Sequence, residues 1–240
     1  MPTDTILVPK EWPVVDVDVV DQARSQALTA LSSHGTKKPV EERLAAFYDV
    51  SGNYAGASFA SLPANDTQDV TAADLHAVSL LSVDIGPAAT RRLLDSGHHR
   101  NAVLESLAQL PQPAALATAG GQTLKEMESF YTAVKSALSS TTAKKSNPWV
   151  TASKLCARKR PGLFPVRDNN VCSHLGILKL NDFRLDWQVF RSLLQEEEIN
   201  ERLETLPGEI HGRAQGRELR LDTSPLRLLD AALWTYTVWS

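Results

Sequence analysis

The stretch from Tyr131 to Gly176 reads YTAVKSALSSTTAKKSNPWVTASKLCARKRPGLFPVRDNNVCSHLG, and the rest of the chain is interpreted from it. Its pattern predicts a helix, a short polar connection, a second helix and a proline-bracketed turn that presents one carboxylate, Asp168. Between Ser129 and Arg167 there are eight lysine or arginine residues and no aspartate or glutamate. The stretch thus carries +8 in a chain of net charge −3, so the remainder carries −11. This local charge reversal favours a phosphate backbone as partner.

The candidates for contact with DNA are the basic residues of this run and the polar or aromatic residues among them. They are Lys144, Lys145, Ser146, Trp149, Thr151, Lys154, Arg158, Lys159, Arg160 and Arg167. Trp149 either stacks on a sugar or base, wedges into the duplex, or is a half-buried packing residue. Lys154 contacts phosphate, faces solvent, or serves as an amine nucleophile.

Two short motifs in this stretch have a fixed spacing. Thr151 and Ala152 begin the second helix, and residues 165–171, PVRDNNV, place Asp168 17 positions after Thr151. The pattern resembles the helix-hairpin-helix DNA glycosylase superfamily, whose signature is Leu-Pro-Gly-Val-Gly-x-Lys-Thr-Ala, an apolar helix and Val-Asp-Thr-His-Val. The resemblance implies an all-α fold of two helical lobes, with a helix-hairpin-helix-like element, a cleft between the lobes and Asp168 as the catalytic carboxylate at its mouth.

The chain departs from that signature in two places. Val150 stands where the bifunctional members carry their Schiff-base lysine, so the resemblance implies a monofunctional enzyme that leaves an abasic site. Ser146, Asn147 and Pro148 replace the Gly-Val-Gly of the hairpin. The chain also resembles an uncharacterised bacterial domain family that contains the TASKL and KRP segments.

Asp168 has a second interpretation that needs no chemistry. An aspartate before Asn-Asn is a good helix N-cap, because its side chain accepts a hydrogen bond from the first turn. Its distance from the helix start and its position after a basic run favour the catalytic interpretation.

A segment rich in small residues, 51–69, predicts a loop or a pair of short strands. Its residues Asn53, Tyr54 and Phe59 either line a base pocket or belong to a connector in which the two aromatic residues are core anchors.

The segment after that loop predicts a helix that begins with a capping box at Thr71 and Asp74. Its end, Leu80-Leu81-Ser82, resembles the first conserved segment of the glycosylase superfamily, which lies near the extruded base. Asp84 follows, and it either touches the base or the complementary strand, or is a solvated turn residue.

The composition, 42% hydrophobic and 22% charged, is typical of a globular protein without membrane spans. We expect an N-terminal arm and short helix (1–38), a first helical lobe (39–120), a helix-hairpin-helix-like lobe (121–180) and C-terminal helices (181–240). In the last segment, residues 184–206 predict one long amphipathic helix and the glycines after Pro207 predict a loop.

We expect no cofactor and no metal site. Cys156 and Cys172 are too few for the four-cysteine iron-sulfur cluster of some superfamily members, and they are interpreted as buried apolar residues. The expected protein is a cytoplasmic monomer that binds double-stranded DNA and no membrane.

Three functions are consistent with these features. The first is a monofunctional DNA glycosylase that acts on a damaged or modified base, with foreign (phage) DNA as one source. The second is a non-catalytic DNA-binding module on the same scaffold. The third is a helical protein-interaction domain whose basic run faces an acidic partner or the acidic remainder of the chain.

Overall fold

A computed structural model describes residues 8–34, 37–63, 65–139 and 147–239. In these ranges the protein is all-α, as predicted, and extended pairing is confined to one isolated bridge between Asp49 and Leu219. The twelve described α-helices are α1 Val17–Leu31, α2 Val40–Phe47, α3 Gly56–Phe59, α4 Ala72–Ser79, α5 Pro87–Leu94, α6 His98–Gln109, α7 Gly121–Leu138, α8 Trp149–Lys159, α9 Asn169–His174, α10 Phe183–Gln195, α11 Glu197–Gly212 and α12 Pro225–Val238.

Several helices begin at the residues that the sequence indicates. Thr71 caps α4, and the predicted capping box with Asp74 is confirmed, since each side chain bonds the backbone N–H of the other residue. Proline occupies the first turn of α5 and of α12, where its missing N–H has no acceptor to lose.

The long helix predicted after residue 184 is wrong in its extent. The chain breaks at Glu196, which is extended and separates α10 from α11. Helix α11 then runs through Pro207 to Gly212, where a loop was predicted. The buried positions Ile199, Leu203, Leu206 and Ile210 continue at helical spacing past the proline, so packing of this face outweighs the local cost of proline.

Two helices organise the packing. Helix α8 lies against α4 and α7, and α12 packs against α1, α2, α9 and α11. Buried apolar residues from all twelve helices belong to one continuous cluster, which the four predicted segments share. Among the described helices, none is both long enough and apolar enough to cross a membrane.

Candidate functional site

A cavity of about 510 Å³ lies between α12, the start of α9 and the segment that joins α2 to α3. Its polar and aromatic lining residues are Phe47, Asn53, Tyr54, Phe59, Ser82, Lys154, Asp168, Asn170, Asp222, Arg227, Asp230 and Trp234. The turn that follows α4, Leu80-Leu81-Ser82, completes one wall. The cavity therefore brings together residues that are separated by up to about 180 positions in sequence.

Asp168 is both a helix cap and a cavity residue. It is the N-cap of α9, and its Oδ1 accepts a hydrogen bond from Val171 N at 2.9 Å. Its other oxygen, Oδ2, has no hydrogen bond to a described residue. The cap fixes the orientation of the half-buried carboxylate and leaves one oxygen available to a molecule in the cavity.

Lys154 reaches the same cavity from the middle of α8. Its Nζ donates to Leu81 O at 2.7 Å, and only 6% of the residue is exposed. Burial lowers the pKa of its ammonium group, and the negative charge of Asp168 acts in the opposite direction. The predicted contact between this lysine and DNA phosphate is wrong, because the side chain points inward to a carbonyl.

Three of the four residues predicted for the base pocket line this cavity with Asp168. They are Asn53, Tyr54 and Phe59. The fourth, Asp84, is exposed and does not line this cavity, which agrees with the alternative of a solvated turn residue. The reason is that α4 ends at Ser79, and the chain leaves the cavity after Ser82.

The aromatic side chains form one wall. The ring centroid of Phe47 lies 6.4 Å from that of Tyr54 and 5.6 Å from that of Trp234. Helix α3 can approach this wall only because Gly56 has no side chain, since a Cβ there would lie 2.4 Å from Phe47 O. A wall of this kind favours a planar aromatic ligand.

The cavity lining also includes acidic and basic groups that the sequence analysis missed. Tyr48 donates its hydroxyl hydrogen to Asp222 at 3.0 Å, while Arg227 donates to Asp230 and to Phe164 O. Burial raises the pKa of Asp222 and raises that of Asp230 to about 6, although the Arg227 charge opposes both shifts. The available signal was an aspartate within the otherwise apolar run LLDAAL of α12.

The five basic residues of the run from Lys154 to Arg167, by contrast, are buried and do not form a surface. Arg158 is 1% exposed and donates to the carbonyls of Phe59, Ala60 and Leu62 at 2.6–2.7 Å. Lys159 donates to Asp74, to Asn65 Oδ1 and to Asp66 O. The predicted DNA contacts of Arg158 and Lys159 are wrong, because these side chains satisfy the loop between α3 and α4.

Arg160 and Arg167 are buried as well, and their predicted DNA contacts are also wrong. Arg160 donates to Thr67 O and Leu107 O at 2.9 and 3.0 Å. Arg167 forms a buried ion pair with Asp186. A side chain enclosed by internal acceptors offers no donor to a phosphate.

The structure neither supports nor contradicts the other predicted DNA contacts. Trp149 is half-buried and packs on the core, and the guanidinium of Arg167 lies 5.0 Å from its ring centroid. Thr151 is half-buried. Lys144, Lys145 and Ser146 lie outside the described residues.

The two cysteines are free and buried, as expected. Burial raises the pKa of the Cys156 thiol well above its usual value and that of Cys172 to about 12, so neither forms a thiolate near neutral pH. In the ranges that the structure describes, no group of three histidine, cysteine or acidic residues is arranged to hold a metal ion.

Comparison with known proteins identifies a family without assigning an activity. No curated protein matches the chain, and no solved structure matches it. A family model described as a family of unknown function, DUF6308, matches residues 40–237. This range contains Lys154, Asp168, Arg227 and Asp230. The match covers well over half of the 240 residues, and the chain therefore belongs to the family DUF6308.

Proposed function

We propose that this protein is a monofunctional DNA glycosylase, which hydrolyses the N-glycosidic bond of a damaged or modified base and leaves an abasic site. The observation that carries the proposal is the composition of one cavity, in which Asp168 lines the same space as Asn53, Tyr54 and Phe59. These four residues were selected from the sequence for the catalytic and base-binding roles, and two distant segments supply them.

The size and lining of the cavity suit an extruded base. Its volume, about 510 Å³, lies within the range of roughly 300–1,000 Å³ that is typical of ligand cavities. A base inside a duplex is inaccessible to an enzyme, so the nucleotide must rotate into such a pocket. The rings of Tyr54 and Trp234 offer flat apolar surface, and the amide of Asn53 offers both a donor and an acceptor.

Asp168 supplies the charge that this reaction needs. As the bond between the anomeric carbon and the base nitrogen breaks, its electron pair leaves with the base and positive charge develops on the sugar. A fixed carboxylate stabilises that charge. Water then bonds to the anomeric carbon and gives one proton to Asp168. The departing base takes a proton from solvent, and Asp168 later returns its own proton to solvent. Oδ1 of Asp168 already accepts a hydrogen bond from Val171 N–H. We therefore assign the stabilisation of the sugar cation and the acceptance of the water proton to Oδ2.

The contact with DNA is assigned to a helix-hairpin-helix-like element made of α7, residues 139–148 and α8, beside a cleft between two lobes. Helices α7 and α8 pack against each other, which agrees with this assignment. Five basic residues of the run are buried, so Lys135, Lys144 and Lys145 are its remaining candidates for phosphate contact. In the proposal the protein acts in the cytoplasm as a monomer, on cellular or phage DNA.

The test is base release from duplexes that carry a panel of damaged and modified bases, including modified cytosines of the phage type. Wild type and Asp168→Asn are compared at equal concentration, and released bases are separated and quantified by mass. Asparagine keeps the helix cap and removes the charge. Release by wild type alone supports the proposal. Equal release by both variants places the chemistry elsewhere, and duplex binding without release supports the non-catalytic module.

A second candidate is hydrolysis of the N-glycosidic bond in a free nucleoside or nucleotide. The burial of Lys154, Arg158, Lys159, Arg160 and Arg167 favours it, because a small substrate does not need a long basic surface. The same panel, offered as free nucleosides, separates the two candidates. Release from nucleosides but not from duplexes supports the second. If neither substrate is cleaved or bound, the helical interaction domain is the better description.

A further inference from the structure

A second half-buried carboxyl group, that of Asp222, lines the cavity from the segment between α11 and α12. Its Oδ2 accepts a hydrogen bond from the hydroxyl of Tyr48 at 3.0 Å, and Tyr48 is fully buried. Its Oδ1 has no hydrogen bond to a described residue and is not among the enclosed atoms. One oxygen of this carboxyl group is therefore held by the protein, and the other is open to a ligand.

Backbone pairing fixes the position of this carboxyl group. Arg220 N–H donates to Tyr48 O and Val50 N–H donates to Glu218 O, both at 3.0 Å. These two bonds join the chain that precedes Asp222 to the chain that follows α2. The backbone is thus held on one side and the side chain by the Tyr48 hydroxyl, so the open oxygen has a defined position.

The other charged groups of the cavity are already committed. Arg227 and Asp230 bond each other, and their unpaired side-chain atoms are enclosed. The ammonium group of Lys154 donates to a backbone carbonyl, and the open oxygen of Asp168 is assigned to the sugar. Among the described lining residues, Asp222 is therefore the charged group that remains for contact with the base.

An open carboxylate oxygen in a half-enclosed cavity selects its ligand by the type of hydrogen bond. Burial raises the pKa of Asp222, whereas the charge of Arg227 and the hydrogen bond from Tyr48 favour the carboxylate. The oxygen has lost part of its hydration, and only a donor replaces it. An exocyclic amino group supplies that donor. An exocyclic carbonyl oxygen in the same place sets two acceptors against each other, which is unfavourable.

We propose that Asp222 determines which bases the cavity accepts, and that it selects bases with an exocyclic amino group, of the cytosine and adenine type, over their oxo counterparts. This inference rests on the proposed function and names the substrate class of the same site. Oδ1 of Asp222 accepts a hydrogen bond from the amino group, while the plane of the base lies against the aromatic wall. Asp222 makes and breaks no covalent bond, so its role is specificity.

The experiment measures affinity for matched ligands that differ only in this group. They are 2′-deoxycytidine and 2′-deoxyuridine, and 2′-deoxyadenosine and 2′-deoxyinosine, offered as nucleosides and in duplexes opposite an abasic position. We expect wild type to bind the amino member of each pair about 10-fold or more tightly at neutral pH. Asp222→Asn keeps an oxygen for the Tyr48 hydroxyl and presents an amide N–H to the cavity, so the preference should disappear or reverse. Thr223→Ala is the matched control, because Thr223 is adjacent and does not line this cavity, and it should keep the preference.

Each of the other outcomes overturns one claim. Equal affinity of wild type for both members of each pair, or no binding to any of them, overturns the selection by Asp222. An equal loss for both members in Asp222→Asn overturns it as well, because a merely structural residue would act in that way. Release of amino and oxo bases from duplexes at equal rates overturns the selection and leaves the glycosylase. A binding preference without release from any duplex contradicts the glycosylase and leaves the selection of amino-bearing ligands.

Discussion

Replacement of Asp74 by alanine tests whether the basic run is structural. The side chain is fully buried; Oδ1 accepts from Arg158 Nε at 3.1 Å and Oδ2 from Lys159 Nζ at 2.9 Å. Removal of one partner of a buried ion pair costs about 3–5 kcal/mol. Loss of the capping box with Thr71 adds about 1 kcal/mol. Both cations keep carbonyl acceptors, which reduces the cost.

We therefore expect Asp74→Ala to lower the free energy of unfolding by about 4 kcal/mol, measured by urea denaturation followed by circular dichroism. The matched control is Glu209→Ala, which removes the partner of Arg202 from a half-exposed ion pair and should cost about 1 kcal/mol or less. A loss below about 1 kcal/mol for Asp74→Ala would refute the burial of the cations and return Arg158 and Lys159 to the candidates for DNA contact.

Three further changes have defined outcomes in urea denaturation. Asp168→Asn should keep the free energy of unfolding within about 0.5 kcal/mol of wild type, because asparagine caps α9 equally well; a larger loss would mean that the charge itself stabilises the fold. Arg167→Met leaves the Asp186 carboxylate buried and unpaired, so a loss of about 3–5 kcal/mol is expected and a neutral effect would contradict the pair. The pKa of Asp230 is raised from 3.8 to about 6, so the folded state holds a proton that the unfolded state has released. Wild type should therefore lose up to about 3 kcal/mol relative to Asp230→Asn as pH rises through this range, and parallel curves would disagree.

Local signals in the sequence were sufficient for most of the helices. The capping box at Thr71 and the prolines that begin α5 and α12 act within one turn, so the sequence displays them directly. The break at Glu196 and the helical path through Pro207 depend on what the two helices pack against. Tertiary packing determines both the break at Glu196 and the helical path through Pro207, and no local sequence pattern indicates that packing.

The direction of the basic side chains was the main error, and its cause is long-range. The loop between α3 and α4 leaves carbonyls of Phe59, Ala60 and Leu62 without helical partners, and Arg158 satisfies them from about 100 positions away. Charge counting shows that eight cations lie together but gives no information on where they point. The acidic remainder of the chain, represented by Asp74 and Asp186, pairs with three of them, Arg158, Lys159 and Arg167, as one alternative had anticipated.

Only part of the candidate site could be predicted from the sequence, because several of its residues are brought together by long-range packing. Asp168 follows a recognisable turn, and Asn53, Tyr54 and Phe59 belong to a segment of small residues that predicts a loop, a common place for binding groups, although Phe59 lies in the short helix α3. Asp222, Arg227 and Asp230 come from the C-terminal region, and only the packing of α12 against α9 brings them to Asp168. The sequence shows a buried charge in α12 but not the cavity that it faces.

The most direct test of the central claim is the single-turnover rate of base release by wild type and by Asp168→Asn on one duplex that the panel identifies as a substrate. If the Asp168 carboxylate stabilises the sugar cation, the asparagine variant should be slower by about 100-fold or more, at unchanged stability. Equal rates for two equally stable proteins would contradict the assignment of Asp168 and, with it, the mechanism proposed for this cavity.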